Sequence, residues 1–129
     1  MENSPITAVL LIAHGSRHAE ANVVTRVLAE DLLRDGRFPI AVAAFLEFAE
    51  PDIDAGAAIC VERGAGRVIL LPHFLAGGVH MQRDLTSAKM RLSQRFPAVE
   101  FRLAEPIGTH SGLVDALLQR ARDASSSLA

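Results

Sequence analysis

The stretch Ala8-Val9-Leu10-Leu11-Ile12-Ala13, followed at once by His14-Gly15-Ser16, decides the fold. A short continuous apolar run has the look of a strand buried on both faces. Such a strand belongs at the centre of a parallel sheet. Beyond it the hydrophobic period changes to that of a helix, from Ala19 to Arg34, with Val24, Val27, Leu28 and Leu32 on one stripe and Gly36 as the stop. Ile40 to Leu46 reads as a second strand. Pro51 is placed to open a second helix, which carries Ile53, Ala57, Cys60 and Val61 on one face and ends at Gly64. Val68-Ile69-Leu70-Leu71 is a third strand, stopped by Pro72. A loop containing Gly77-Gly78 leads to a third helix, about Asp84 to Phe96, and Pro97 terminates it. Val99 to Leu103 is the fourth strand, and Ser111 to Asp123 the last helix, with Leu113, Val114, Leu117, Leu118 and Ala121.

Four βα units in series predict an α/β fold: a small, flavodoxin-like, four-stranded parallel sheet in the order 2-1-3-4, with helices on both faces. The 129 residues are read as a single domain, 1–129, with an ordered core of about 6–123. Half of the chain is hydrophobic, which excludes a disordered body. A formal charge of −2 argues against a general nucleic-acid or membrane-surface binder. With no Trp or Tyr, a stacking platform for bases would have to come from six Phe. The single cysteine, Cys60, excludes an intrachain disulfide or a multi-cysteine metal site and reads as a core residue. No apolar run approaches the roughly 20 residues a membrane span needs. The polar start, Met1 to Thr7, has no signal-peptide pattern, so a reducing cytoplasmic setting is expected.

In such sheets ligands bind outside the carboxyl ends of the strands, where the strand order reverses. The loops after strands 1 and 3 flank that point. They hold His14, His18, His73 and His80, four of the five histidines. Glu47 follows strand 2. His14 and His80 are expected to face one another across a crevice, with Glu47 beside them. Imidazole and carboxylate together suit a borderline divalent metal or proton abstraction near neutral pH. Blander readings exist for each. His14 can cap a helix, Glu47 can serve a helix dipole with Glu50, His18 can be a solvated surface residue, His73 can pack on Phe74, and His110 can cap the last helix. Met81 and Met90 read as packing residues. The Gly77-Gly78 pair lacks the Lys and Ser/Thr of a phosphate loop.

His14-Gly15-Ser16-Arg17, Phe45-Leu46-Glu47 with Ala49-Glu50-Pro51, Pro72-x-Phe74-Leu75 leading to Gly77-Gly78-x-His80-x-x-Arg83-Asp84, and Glu105-Pro106-Ile107-Gly108-x-His110 occur in that order over nearly the whole chain. Together they resemble the sirohydrochlorin chelatases of the CbiX type, in their short form. The resemblance implies insertion of a divalent metal into sirohydrochlorin, with no organic cofactor. It puts His14 and His80 on the catalytic, metal-handling histidines and Glu47 on an acidic position near the metal path. It implies a homodimer, because short forms look like half of a two-lobed chelatase. Gly15, Ser16, Arg17, Gly77, Gly78 and Arg83 border these motifs and are expected to receive the carboxylate arms of the macrocycle. His73 departs from the usual apolar or aromatic residue at its position. A histidine-rich insertion associated with nickel is absent. The expectation is therefore a cobaltochelatase of cobalamin synthesis, with a siroheme ferrochelatase, and then a nickel chelatase, as alternatives. A non-catalytic metal or tetrapyrrole carrier and a nucleotide-binding regulatory module are the rivals from other classes.

Overall fold

A computed structural model describes residues 4–75, 78–108 and 110–126. The elements alternate along the chain: β1 (Thr7–Ala13), α1 (Ala19–Asp35), β2 (Ile40–Phe45), α2 (Ile53–Glu62), β3 (Arg67–Pro72), α3 (Val79–Arg95), β4 (Glu100–Leu103) and α4 (Ser111–Ser125). The strands form one sheet in the order β2-β1-β3-β4, and every neighbouring pair is parallel. The predicted topology is the one observed. β1 is central because both its faces are apolar: Ala8 through Ala13 are all buried. Its residues alternate between two environments. Ala8, Leu10 and Ile12 join Ala44, Val68, Leu70 and Phe101 beneath α2 and α3, where Ala57, Cys60, Leu85, Ala88 and Leu92 complete the main core. Val9, Leu11 and Ala13 project to the other face, which α1 covers. Burial pushes the Cys60 thiol up to about 11, so it is an inert core group.

The helix ends follow local chemistry. The Asp52 carboxylate caps α2 by accepting from Ala55 N at 2.8 Å, so Pro51 lies just outside the helix rather than at its first residue. Gly36 ends α1 in the left-handed region with φ 91°. No helix among the described residues is long and apolar enough to cross a membrane.

Two helices depart from the expected burial. Of the expected α1 stripe, Val24, Val27 and Leu28 face outward and Leu32 is half-buried, and the residues buried on the sheet are Asn22, Thr25 and Ala29. The physical reason is that each polar residue has its own partner inside. Asn22 accepts from Ser16 N at 2.9 Å and donates to Ser16 O at 2.8 Å. Thr25 Oγ1 lies 3.1 Å from His73 Nδ1. His73 is thus tied to α1 rather than held by Phe74 alone. The last helix, α4, buries none of its residues, and Val114, Leu117 and Leu118 are exposed. Met90, expected to pack, is exposed as well.

The burial of His73 has a consequence for stability. Burial lowers the imidazole's proton affinity below the ordinary histidine value. The unfolded chain therefore takes up this proton more readily than the folded one. The stabilisation is complete above the unfolded value of about 6.5 and is lost as pH falls through the folded value. In urea titrations between pH 7.5 and pH 5, wild type is expected to lose stability more steeply than His73→Gln. Parallel curves would remove His73 from the pH dependence.

Candidate active site

The pairing of β1 and β2 runs past the ends of the strands. Leu46 N donates to Ala13 O at 3.0 Å, and Glu47 N donates to His14 O at 3.1 Å. Gly15 then turns the chain with φ 95°, so close to the neighbouring loop that a Cβ would lie 1.8 Å from the Glu47 carbonyl oxygen. Only glycine meets both demands. The two loops are closed against each other, and their side chains emerge side by side. His14 Nε2 is 3.4 Å from Glu47 Oε1, with both groups more than half exposed. At that exposure the pair adds little stability. Its value is chemical: a carboxylate stands next to an imidazole in an open crevice.

His80 reaches the same crevice from α3. That helix starts at Val79, with Gly78 as an extended N-cap, five residues earlier than expected. No breaker follows Gly78, so the helix begins as soon as the glycine allows. His80 is therefore a first-turn helix residue rather than a loop residue. Asp84, one turn on, shares its face. A cavity of about 570 Å³ has His14, Glu47, His80 and Asp84 in its wall, with Phe45, Ile53 and Met81 as apolar lining. Asp52, Asp54 and Arg91 also line it. Arg91 reaches from α3 to α2 and clamps Asp54 with both edges of its guanidinium, Nη2–Oδ1 2.8 Å and Nε–Oδ2 3.1 Å. The hydrogen bond to Asp54 holds Arg91 more firmly protonated. Among the described residues no three His, Cys, Asp or Glu side chains converge into a metal cage. The crevice has scattered metal-ligating groups and no closed site.

The remaining expected residues divide. The Ser16 amide is already bonded to Asn22, so it is not free for an anion. Arg17 lies over the ring of Phe48, 4.7 Å from its centroid. Gly78 and Arg83 line a second hollow on α3 with Gln82 and Thr86, which borders the His14 cavity at Ser87. Gly77 lies outside the described residues. His18 is exposed at the start of α1. His110 Nδ1 accepts from Gly112 N at 2.9 Å and caps α4. Sequence reading missed Asp84 and Arg91, which become visible at i+4 and i+11 from His80 once the helix is started at Gly78. It also missed Phe48, which adopts φ 68° although it is not glycine. A left-handed φ costs an L-residue about 1–2 kcal/mol.

The CbiX family model matches residues 8–124. The chain belongs to the CbiX family. It is 36% identical over 118 residues to a sirohydrochlorin cobaltochelatase of Sulfolobus acidocaldarius, covering 92% of both chains. It is 30% identical over 112 residues to a chloroplastic sirohydrochlorin ferrochelatase of Arabidopsis thaliana, covering 87% of this chain and 50% of that one. Among solved structures, it is similar to the sirohydrochlorin chelatase SirB of Bacillus subtilis subspecies spizizenii in complex with cobalt, with a TM-score of 0.82 and 29% identity. That match covers 91% of this chain and 50% of SirB. The chain thus spans about half the length of the longer relatives it matches. In this CbiX chain the loops that carry His14 and Glu47, and the first turn of α3 with His80, all follow the carboxyl ends of strands.

The loop closure can be isolated with two glycines. Gly36→Ala meets no atom within 4 Å but keeps φ 91°, so it reports the backbone cost alone. Gly15→Ala adds the collision with Glu47. Gly36→Ala is expected to cost about 1–2 kcal/mol in chemical unfolding, and Gly15→Ala clearly more. Equal losses would mean that the β1 and β2 loops are not held together at Gly15.

Proposed function

We propose that this chain is a sirohydrochlorin chelatase that inserts Co²⁺, the metal named for its Sulfolobus relative of matching length. The observation that carries the reading is the open pairing of His14 with Glu47 at 3.4 Å in one cavity with His80. Insertion must take two pyrrolic N–H protons from the macrocycle and strip water from the incoming ion, leaving a neutral metallated core and two protons. A neutral imidazole accepts a proton or holds the ion in transit. His14 is suited to accept a proton, because its imidazole stands in the open crevice with the Glu47 carboxylate 3.4 Å away to orient the ring. His80, across the cavity, is suited to hold the ion as it enters. A full cage would trap the metal, and scattered donors let it pass on. Fe²⁺ is the second reading, favoured by the ferrochelatase among the relatives. Co²⁺ and Fe²⁺ accept the same nitrogen ligands, so the donor set suits either.

Anaerobic incubation with sirohydrochlorin and Co²⁺, Fe²⁺ or Ni²⁺ in turn, followed by absorbance, tests the activity. Multiple turnovers distinguish a chelatase from a stoichiometric carrier. His14→Ala and His80→Ala are each expected to lower insertion by roughly 100-fold or more above the spontaneous rate, without loss of folding. Near-normal turnover in either would contradict the assignment.

We also infer that the working unit is a homodimer. The sheet edge is open above the strand ends, and one small lobe cannot enclose a flat macrocycle. The outward stripe Val24, Val27 and Leu28 of α1 and the stripe Val114, Leu117 and Leu118 of α4 supply apolar surface for a second copy. A stable contact would bury at least about 1,000 Å² in total. Leu117→Glu is expected to shift sedimentation from twice the chain mass towards the monomer and to lower specific activity several-fold. A wild type that is monomeric at working concentration and fully active would refute the dimer.

A further inference from the structure

We propose that Phe48, with Arg17 stacked on it, is the seat of the macrocycle: the phenyl ring packs on the flat conjugated system, and the Arg17 guanidinium edge takes one of its carboxylate arms. The inference rests on the chelatase reading above.

Three observations lead there. The first is conformation. Among the described residues, every other left-handed φ belongs to a glycine, at Gly15, Gly36, Gly64 and Gly108. Phe48 alone holds an aromatic side chain in that region, with φ 68°. A turn that needed only the backbone would be served better by Gly or Asn. The second is exposure. Phe48 is 52% exposed, belongs to no part of the core, and follows Glu47 directly in the chain. The fold gains little packing from a strained ring held largely in solvent, so its value must lie in what it presents. Strain of this kind gathers where a side chain has to be displayed.

The third is the pairing with Arg17. Its guanidinium carbon sits 4.7 Å from the Phe48 centroid. The phenyl ring offers no conventional acceptor for the guanidinium N–H donors. Among the described residues those donors make no ion pair. A planar fork of free donors suits a carboxylate. The cavity proper offers the opposite field. It is lined by Glu47, Asp52, Asp54 and Asp84, and Arg91, also in its lining, is already paired with Asp54. A polycarboxylate ring is repelled from that side, and a cation is attracted to it. The charges therefore separate the two substrates, with the metal approaching through the cavity and the macrocycle arriving over the Arg17–Phe48 lip.

The test compares wild type with Phe48→Gly, Phe48→Trp and Arg17→Gln. It measures anaerobic binding of metal-free sirohydrochlorin by absorbance, KM and kcat for insertion, unfolding by urea, and oligomeric state. Phe48→Gly relieves the backbone and is expected to be at least as stable as wild type. It should bind the macrocycle roughly ten-fold more weakly, with KM rising by more than kcat falls. Phe48→Trp should restore tight binding. Arg17→Gln should weaken binding and flatten its salt dependence. Unchanged macrocycle affinity in Phe48→Gly overturns the proposal. So does a marked loss of its stability, which would make Phe48 a structural residue. A loss of affinity that merely follows dissociation of the dimer also overturns it, by making Phe48 an interface residue. Wild type that neither binds nor metallates sirohydrochlorin would refute the chelatase reading itself, a different result from wild-type activity that is indifferent to position 48.

Discussion

Parallel pairing between β1 and β2 continues for two residues after the sheet proper has ended, and Gly15 makes that possible. A side chain there would collide with the Glu47 carbonyl and part the loops. With the loops closed, the Glu47 N–H is spent on the His14 carbonyl, and the two backbones are fixed relative to one another. Both side chains inherit that order. His14 and Glu47 are exposed and gain little from each other energetically. Their proximity is therefore imposed by the backbone. α3 adds His80 by another rigid route, since the residue sits in the first turn of a helix anchored by Leu85, Ala88 and Leu92 in the core.

The wider surface divides by charge and polarity around that centre. On the side of α2 and α3 the cavity wall is rich in carboxylates, and the Arg91–Asp54 clamp joins the two helices across it. On the loops themselves Arg17 and Phe48 present a cation and an aromatic ring. α1 and α4 turn apolar residues outward. Acidic, basic-aromatic and apolar patches thus match an incoming cation, an anionic flat ring and a second copy of the chain, in the account proposed above.

Much of this arrangement can be read from the sequence, for definite reasons. Ala8 to Ala13 is apolar without interruption, and only a central strand buries such a run on both faces. With β1 central, His14 and Glu47 fall at strand ends, so their convergence follows from topology alone. Two features escape periodicity. Hydrophobic spacing on α1 selects Val24, Val27 and Leu28 as the inward face, whereas Asn22 and Thr25 are inside because Ser16 and His73 satisfy them. Ser16 lies in an irregular loop and His73 is 48 residues from Thr25 in sequence, so no local pattern announces them. The start of α3 is hidden because Val79 to Arg83 has no apolar rhythm and two glycines precede it. Phe48 is the extreme case. Nothing in an aromatic residue's own preferences indicates its left-handed φ.

Backbone closure of the β1 and β2 loops, with α3, sets His14, Glu47 and His80 in the wall of one cavity, and the proposal is that the metal passes through it. Crystals soaked in Co²⁺ and measured on both sides of the cobalt absorption edge test it most directly. The account predicts an anomalous peak in the cavity within about 2.0–2.2 Å of an imidazole nitrogen of His14 or His80, lost in His14→Ala or His80→Ala. A peak seated instead on Asp54 and Asp84, and unchanged in both histidine variants, would contradict it.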